Sequence, residues 1–361
     1  MKKNKKIAVI CNYHLLPDRV GGMDRFFWLF DTACKSLGHE VIWFFPNAAH
    51  HGNYDNLTII PANDNSLESI FISYSKQNLS QFDVVITHFL ELCTSFFKKV
   101  KKQQASKTIA VDHNPRPLQG YALKKKIIKR IKGILYARYT DVFVCVSKYS
   151  ISELISEFGN PIQKKTIVIF NGLEIHKFKK KSQFNSNKHF ITASHLREDK
   201  GIQDLILAVA LLKKDMDINF IIDIYGDGYY EATLKNMVQE FSLQNIFIFK
   251  GNVANLHELY CNYDYLIHPS HGETFCYSVV ESLLSNLPVI TTKNYGNVLG
   301  LVENNTNGFL YEVSEIDQLK EILFKISIQE YAINDFSSNN EKVKDLSLEN
   351  MVRQYLKLID Y

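Results

Sequence analysis

The chain has 361 residues, of which 46% are hydrophobic and 22% are charged, so it is predicted to be globular and long enough for two domains. Its six cysteines form no C-x-x-C pair and no metal-ligand cluster, so we expect reduced, buried thiols in a cytoplasmic protein. No apolar run reaches transmembrane length, and the first apolar run, residues 7–11, is too short for a signal peptide.

The net charge of +4 conceals two oppositely charged halves. Residues 1–180 hold 27 basic and 14 acidic side chains, a balance of +13, whereas residues 181–361 hold 15 and 24, a balance of −9. A basic first half suits an anionic surface or substrate. The alternative is an uneven surface charge that serves no partner.

Short apolar runs alternate with amphipathic stretches through the first half of the chain. Strands are predicted at residues 7–11, 41–45, 84–87, 108–111, 142–146 and 167–170, and helices at 23–37, 67–77, 124–139 and 151–158. Such alternation predicts a parallel sheet with helices on both faces. We therefore expect residues 1–176 to form a Rossmann-like domain, followed by a charged linker at 177–188.

The same alternation then begins again. Strands are predicted at residues 190–194, 219–225, 245–249, 265–268, 288–291 and 308–311, and helices at 201–212, 230–241, 256–261, 277–285, 316–325 and 348–359. Residues 189–340 are thus expected to form a second parallel α/β domain. Residues 341–361 supply a C-terminal helix that could return to the first domain.

Ligands bind outside the carboxyl ends of the strands in open α/β sheets. Two such domains facing each other would hold the ligand in the cleft between them. The predicted class is therefore α/β, with two Rossmann-like domains and a hinge for domain closure near residues 172–188.

Glu273 and Glu281 follow the predicted strand at residues 265–268. Two carboxylates this close suggest a glycosidase, but eight helical residues span about 12 Å, whereas glycosidase carboxyls lie about 5–9.5 Å apart. Gly272 and Thr274 favour a loop position for Glu273, with Glu281 on the helix proper. The two acids are thus expected to hold different ends of one long ligand, such as a nucleotide-sugar.

Two cations, Arg197 and Lys200, lie between a predicted strand and a predicted helix. A planar guanidinium and a compact ammonium at this position suit a diphosphate. The alternative is a pair of surface charges near Glu198 and Asp199.

Two glycine-containing loops also follow strands. Gly21 and Gly22 precede the first helix, where a close backbone approach and a helix N-terminus favour an anion. Residues 226–228, Gly-Asp-Gly, are predicted to form a tight turn rather than a phosphate loop, because glycine and aspartate are common turn residues.

An ordered set of short motifs runs through most of the chain and is densest from about residue 140 to 311. It consists of residues 170–174, 197–201, 226–228, 251–253 and 269–270, the pair Glu273 and Glu281, and residues 287–290. Together these motifs resemble the retaining glycosyltransferases of family 4, which have the GT-B architecture.

The resemblance implies roles for residues of the second domain. Arg197 and Lys200 match the basic pair that binds the donor diphosphate, and Glu281 matches the acid that contacts the ribose hydroxyls. Glu273 matches the acid near the donor hexose. The backbone amides of Phe275 and Cys276 lie where the family contacts donor sugar or phosphate.

Two residues of the first domain are implicated in the same way. Gly22 matches the glycine of the loop that closes on the donor. His113 looks like the histidine that contacts the transferred sugar from the other side of the cleft, and His88 is the next candidate among the histidines.

Three positions depart from the family pattern. Cys276 and Asn297 stand where glycine is usual, and Gly300 stands where glutamate is common. These departures affect the shape of the donor loop rather than the class of enzyme.

No metal and no cofactor are expected. Asp215 and Asp217 form a D-x-D motif, but it lies at the amino end of a predicted strand, the wrong end for a site, and a solvated turn is the favoured interpretation.

The helix around residues 123–136 is basic and amphipathic. Its apolar residues fall on one stripe: Leu123, Ile127, Ile131, Ile134 and Leu135. One interpretation is a core-packed helix with a solvated basic face. The preferred one is a peripheral contact of the cations from Lys124 to Lys132 with an anionic membrane surface, on the inner face of the cytoplasmic membrane. No nucleic acid is expected, because this face lacks aromatic residues that could stack on bases.

The resemblance implies a retaining, metal-independent hexosyltransferase that uses a nucleotide diphosphate sugar, with UDP favoured over GDP. The expected acceptor is a hydroxyl of a glycan or lipid-linked glycan, as in polysaccharide or lipopolysaccharide biosynthesis. A GT-B nucleotide-sugar epimerase and a non-catalytic nucleotide-sugar-binding subunit are the alternatives. A dinucleotide oxidoreductase is disfavoured, because no G-x-G-x-x-G follows residues 7–11.

Overall fold

The computed structural model describes residues 4–17, 20–78, 81–103, 106–114, 116–117, 120–182, 188–333 and 343–360. The chain forms two compact units. The first comprises Met1–Gly172 with Leu348–Tyr361, and the second comprises Leu173–Ser347. These divisions fall near the predicted boundaries at residues 176 and 340.

The first unit is built on a parallel sheet of seven strands among its described residues, in the order β3-β2-β1-β4-β5-β6-β7. The strands are β1 (Lys6–Cys11), β2 (Glu40–Phe45), β3 (Ile59–Pro61), β4 (Val84–His88), β5 (Lys107–Asp112), β6 (Val142–Cys145) and β7 (Thr166–Val168). Central strands β1, β4 and β5 are almost entirely buried, as continuous apolar runs in a parallel sheet should be.

Helices cover both faces of this sheet. They are α1 (Asp24–Ser36), α2 (Leu67–Gln77), α3 (Ser95–Gln103), α4 (Leu123–Tyr136), α5 (Lys148–Phe158) and, from the C-terminal segment, α12 (Leu348–Asp360). Alternate residues of β1 face opposite cores: Ile7 and Val9 pack in the core that contains α1 and α12, whereas Ala8 and Ile10 pack in the core that contains α2 and α3.

The second unit has a parallel sheet of six strands among its described residues, in the order β10-β9-β8-β11-β12-β13. The strands are β8 (His189–Ala193), β9 (Ile221–Tyr225), β10 (Phe247–Gly251), β11 (Tyr265–His268), β12 (Val289–Thr292) and β13 (Gly308–Tyr311). The helices are α6 (Ile202–Asp215), α7 (Glu231–Glu240), α8 (Leu256–Leu259), α9 (Tyr277–Leu284), α10 (Tyr295–Val298) and α11 (Ile316–Ser327).

Two parallel α/β domains are thus confirmed, and every predicted strand and helix is present with ends shifted by a few residues. Three elements were not predicted: β3, α3 and α10. Strand β3 is a three-residue edge strand that ends in a proline, and helix α10 has only four residues. Neither element is long enough to show a hydrophobic period.

The predicted linker begins inside the second unit. Lys181 is 4% exposed, and its ammonium lies 3.0 Å from a carboxylate oxygen of Asp264. It also donates to the carbonyl of Tyr263. This part of the stretch is therefore anchored to the second unit, while residues 183–187 lie outside the described residues.

Helix α4 does not pack as a core helix. Its one buried residue among those described is Gly133, whereas Leu123 is 73% exposed and Ile134 is 63% exposed. The alternative of a core-packed helix with only a basic face in solvent is therefore wrong. Across the part of the chain that the structure describes, no helix is both long and apolar enough to cross a membrane.

Candidate active site

Two neighbouring strands carry the predicted site residues of the second unit. Strands β8 and β11 pair in parallel at the centre of the sheet, so the loops that follow them meet at its carboxyl edge. Gly201 has φ +68°, and a Cβ there would lie 2.1 Å from the carbonyl oxygen of Pro269. Glycine at this position thus allows the two loops to touch.

Lys200 and Glu273 form an ion pair between these loops. The Lys200 Nζ lies 2.5 Å from Glu273 Oε1, and the lysine side chain is 8% exposed. Burial would raise the pKa of Glu273, but the hydrogen bond from His268 and the charge of Lys200 outweigh it and lower that pKa to about 2. Glu273 is therefore a carboxylate at any physiological pH.

His268 and Cys276 complete this cluster. The His268 Nε2 lies 3.4 Å from Glu273 Oε1 and 3.2 Å from the sulfur of Cys276. Burial raises the pKa of the Cys276 thiol, so it remains protonated. A thiol therefore fills the position beside Glu273 where a glycine is usual in family 4.

The donor atoms of His268, Glu273 and Cys276 all lie within 4.8 Å of one another. Imidazole, carboxylate and thiolate are ligands that Zn²⁺ uses. However, the Lys200 ammonium already neutralises Glu273 at 2.5 Å and would repel a dication, and the thiol would have to lose its proton. The cluster is thus better suited to the ion pair than to a metal.

Glu281 has a different environment. It lies within α9, and the hydroxyl of Tyr260 donates to its Oε2 at 2.8 Å. Burial raises the pKa of Glu281, and the bond from Tyr260 only partly offsets this. Glu273 lies in the loop before α9, so the predicted separation of loop acid and helix acid is confirmed.

Arg197 is held less firmly than Lys200. Its side chain is 43% exposed, and one terminal nitrogen lies 3.0 Å from a carboxylate oxygen of Asp199. The alternative of two surface charges therefore holds in part for Arg197, which is half-exposed, but not for Lys200, which is buried.

The backbone between Glu273 and α9 is packed closely. Phe275 and Cys276 directly precede α9, and the N-terminus of a helix favours an anion. Phe275 is 7% exposed, and its ring meets that of Tyr277 at 5.1 Å. A Cβ at Gly296 would lie 1.5 Å from the carbonyl oxygen of Glu273, so this glycine is needed for the loop to pack.

The two other departures from the family pattern have structural explanations. The amide of Asn297 is buried and donates to the Ser270 carbonyl at 2.7 Å and to Thr292 Oγ1 at 2.6 Å, which ties the loop after β12 to the loop after β11. Gly300 has φ +71°, a left-handed conformation that favours glycine.

Gly226, Asp227 and Gly228 form an irregular loop that contacts the loop after β8, and the turn begins only at Tyr229, so the predicted tight turn at these three residues is wrong. A Cβ at Gly226 would lie 1.9 Å from the Ser194 carbonyl oxygen, and one at Gly228 would lie 2.3 Å from the Leu196 carbonyl oxygen. The glycines therefore serve a close backbone approach. The D-x-D motif ends α6 and precedes β9, at the amino edge where it was predicted.

In the first unit, His113 and His88 lie side by side at the carboxyl ends of β5 and β4. The His113 Nε2 is 2.9 Å from the His88 Nδ1, and the His113 ring stacks on Phe89 at 4.2 Å. Burial lowers the pKa of His113 to about 3 and that of His88 well below its usual value. The pair is therefore neutral, with one ring donating and the other accepting.

Gly22 lies exposed in the turn before α1, whereas its neighbour Gly21 is the constrained glycine. A Cβ at Gly21 would lie 1.8 Å from the Tyr13 hydroxyl oxygen, and the Gly21 N–H donates to Asp24 Oδ2 at 3.0 Å. Asp24 is fully buried. Sequence reasoning missed Asp24, and it ranked His268 low although that residue ends a strand at the correct edge.

Two family descriptions match adjoining parts of the chain. Residues 20–177 match Glycosyltransferase Family 4, and residues 174–343 match Glycosyl transferases group 1. The fold is also that of Anabaena Alr3699/HepE in complex with UDP and glucose, with a TM-score of 0.78, 17% identity and 99% coverage of both chains.

Several curated relatives match about half of the chain. They include the uncharacterized glycosyltransferase MJ1178 of Methanocaldococcus jannaschii, 28% identical over 54% of this chain and 53% of its own length. Another is the alpha-monoglucosyldiacylglycerol synthase of Streptococcus pneumoniae, 27% identical over 54% of this chain and 46% of its own length. The chain thus spans about half the length of these relatives.

Proposed function

The chain belongs to the GT-B glycosyltransferases of the family 4 type, and on that premise we propose that it transfers a hexose from a nucleotide diphosphate sugar to a hydroxyl acceptor with retention of configuration. The observation that carries the proposal is the buried Lys200 held against Glu273 beside the N-terminus of α9. A cation beside the N-terminus of a helix suits a diphosphate joined to a sugar.

The proposed donor is a UDP-sugar rather than a GDP-sugar. The structure of Alr3699/HepE, which has the same fold, contains UDP and glucose, and this supports the choice. In this arrangement Arg197 and Lys200 bind the diphosphate, Glu281 binds the ribose hydroxyls, and Glu273 orients the hexose.

Charge on the leaving diphosphate would be stabilised by Lys200 and Arg197. Arg197 is free to turn toward it, because its partner Asp199 is itself 41% exposed and can be solvated. Lys200 is already in place, because its ion pair with Glu273 holds it in a buried position.

A front-face substitution accounts best for retention. A covalent route would need a free nucleophile, but Glu273 is engaged by Lys200 and His268, and the Cys276 thiol is protonated. A donor phosphate oxygen would then help to accept the proton of the acceptor. The neutral His113, oriented by His88, would position the sugar, with Gly22 in the loop that closes on the donor.

No metal ion is needed in this scheme, because Lys200 and Arg197 supply the positive charge. Treatment with a chelator is expected to leave the transfer rate unchanged. Loss of activity with EDTA, restored by a divalent cation, would contradict this and would direct attention to His268, Glu273 and Cys276.

The proposed acceptor is a glycan or lipid-linked glycan at an anionic membrane surface, which the cations from Lys124 to Lys132 contact. The relative from Streptococcus pneumoniae is named for a glucosylated diacylglycerol, a lipid, and this supports a lipid-bearing acceptor. Co-sedimentation with vesicles that contain or lack anionic lipid tests the contact, and equal sedimentation with both would exclude it.

A thermal-shift panel of UDP, GDP, ADP and their sugars tests the donor. Ligands that bind the folded state raise its melting temperature, so the correct nucleotide is expected to give the largest shift. A larger shift with GDP than with UDP would indicate a GDP-sugar as the donor and contradict the proposed UDP-sugar.

Substitution tests the site. Lys200→Ala is expected to lower kcat/KM about 100- to 1,000-fold, because it removes one preorganised charge from the transition state. Arg197→Ala should have a similar effect with less risk to folding, since Arg197 is half-exposed. The matched control is Lys235→Ala on α7, where Lys235 forms an exposed helical ion pair with Glu231.

Product analysis separates the alternatives. A transferase releases the nucleotide and glycosylates the acceptor, whereas an epimerase converts the nucleotide-sugar without an acceptor. A non-catalytic subunit would show a donor-dependent thermal shift but no product. Full activity of both Lys200→Ala and Arg197→Ala would exclude the proposed diphosphate site.

A further inference from the structure

A cavity of about 450 Å³ lies between α4, α5 and the residues Arg116, Gly120 and Tyr121 in the first unit. Its volume is in the range of small-molecule sites. Four cationic side chains and two acidic ones line it, a balance of two positive charges; the cations are Arg116, Lys126, Lys129 and Arg130, and the acids are Glu153 and Glu157. Such a lining favours an anionic ligand.

One of the two acids is already neutralised. Glu157 accepts from Arg116 at 3.0 Å and from Lys129 at 2.8 Å, and its side chain is 8% exposed. Arg116 also donates to Asp112 at 2.6 Å. This buried network forms a rigid wall of the cavity, and Glu153 is the acid that remains.

The cations at the outer wall of the cavity can donate further hydrogen bonds. Lys126 and Arg130 are both exposed, and Arg130 donates to the Ile155 carbonyl at the long distance of 3.5 Å. A guanidinium has five N–H donors and an ammonium has three. Lys126 and Arg130 are one helical turn apart on α4, so both can reach a single phosphate.

The cavity adjoins the exposed apolar stripe of α4. Ile127 and Ile131 belong to both, since they line the cavity and are 52% and 49% exposed. Lys129 also lies 4.3 Å from the ring of Tyr121, another lining residue, so the aromatic ring and the cation are held together at the wall. Apolar side chains beside a cationic cavity match the two parts of a phospholipid, its acyl chains and its anionic headgroup.

We propose that this cavity binds the phosphate headgroup of an anionic lipid while the stripe of α4, Leu123 to Leu135, lies among the acyl chains. The inference rests on the proposed membrane contact and deepens it, because it assigns a defined lipid site in place of a diffuse attraction. Lys126 and Arg130 bind the phosphate, and Ile127 and Ile131 contact the glycerol and the first acyl carbons.

The test uses monomeric dihexanoyl phosphatidic acid titrated into the full chain by calorimetry. Saturable binding of one lipid is expected. Lys126→Gln and Arg130→Gln should each weaken it about tenfold, because each removes a charge-assisted hydrogen bond. The matched control is Lys102→Gln on α3, which removes the same charge from an exposed position outside the cavity lining and should leave binding unchanged.

Four results would overturn the proposal. Equal weakening by Lys102→Gln and Lys126→Gln would mean that binding depends on diffuse charge, and the absence of saturable binding would mean that there is no defined site. Displacement of the lipid by inorganic phosphate at the same affinity would mean a free-phosphate site. Vesicle binding that depends on anionic lipid but not on Lys126 or Arg130 would leave the membrane contact intact while excluding the cavity.

Discussion

Two amphipathic helices of the first unit, α4 and α12, differ in where their apolar faces lie. The apolar face of α12 is buried in the core, whereas that of α4 is exposed to solvent. The two helices have 14 and 13 residues and both carry apolar side chains at helical spacing, but α4 has six cations and no acid whereas α12 has two of each. In α12 five apolar residues are at most 4% exposed, namely Leu348, Met351, Val352, Tyr355 and Ile359, and Leu356 and Leu358 are partly buried. In α4 they are 43–73% exposed: Leu123, Ile127, Ile128, Ile131, Ile134 and Leu135.

The difference follows from the residues through which each helix packs against its neighbours. Tyr355 of α12 packs between Phe26 at 5.0 Å and His88 at 5.9 Å, so aromatic area is buried beside the histidine pair. By contrast, α4 meets α5 through Gly133, whose missing side chain lets the Phe158 backbone approach. A helix that packs through a glycine and ion pairs leaves its apolar stripe for another partner.

Removing the aromatic contact of α12 should have the largest effect. Tyr355→Ala is expected to lower the free energy of unfolding by about 3–5 kcal/mol, because it deletes a fully buried aromatic side chain. Urea denaturation measures it, with Tyr355→Phe as a conservative control that keeps the ring. A loss below about 1 kcal/mol would mean that α12 does not support this core.

Adding a methyl group to α4 should have an intermediate effect. A Cβ at Gly133 would lie 1.9 Å from the Phe158 carbonyl oxygen, so Gly133→Ala is expected to cost about 1–3 kcal/mol of stability despite the better helix propensity of alanine. Lys124→Ala on the same helix is the control and should change stability by less than about 0.5 kcal/mol. A stabilised Gly133→Ala variant would show that α4 does not pack through this glycine.

Replacing the exposed stripe should have the smallest effect on folding. Ile131→Ser is expected to change the free energy of unfolding by at most about 0.5 kcal/mol, because the side chain is 49% exposed. The same change should weaken binding to anionic vesicles about tenfold, the effect of losing one membrane-inserted isoleucine. Unchanged vesicle binding would mean that the stripe stays outside the bilayer.

The sequence predicted the sheets well, because buried parallel strands are continuous apolar runs that are visible without tertiary information. It also placed Glu273 in a loop and Glu281 on a helix from the glycine and threonine around the first acid. The sequence did not identify two other residues, His268 and Asp24, because their surroundings depend on tertiary structure. His268 reached the site through the pairing of β11 with β8, and the full burial of Asp24, the first residue of α1, depends on the side chains that pack around it.

The sequence by itself determined the two α/β domains, the carboxyl-edge position of Arg197 and Lys200, and the amphipathic character of α4, since each depends on local periodicity or on order along the chain. Tertiary structure alone decided which charges meet and which faces are covered. The pairing of Lys200 with Glu273 joins residues 73 positions apart. The outward stripe of α4 depends on the fit of Gly133 against Phe158, because burial is a property of neighbours in space and not of neighbours in sequence.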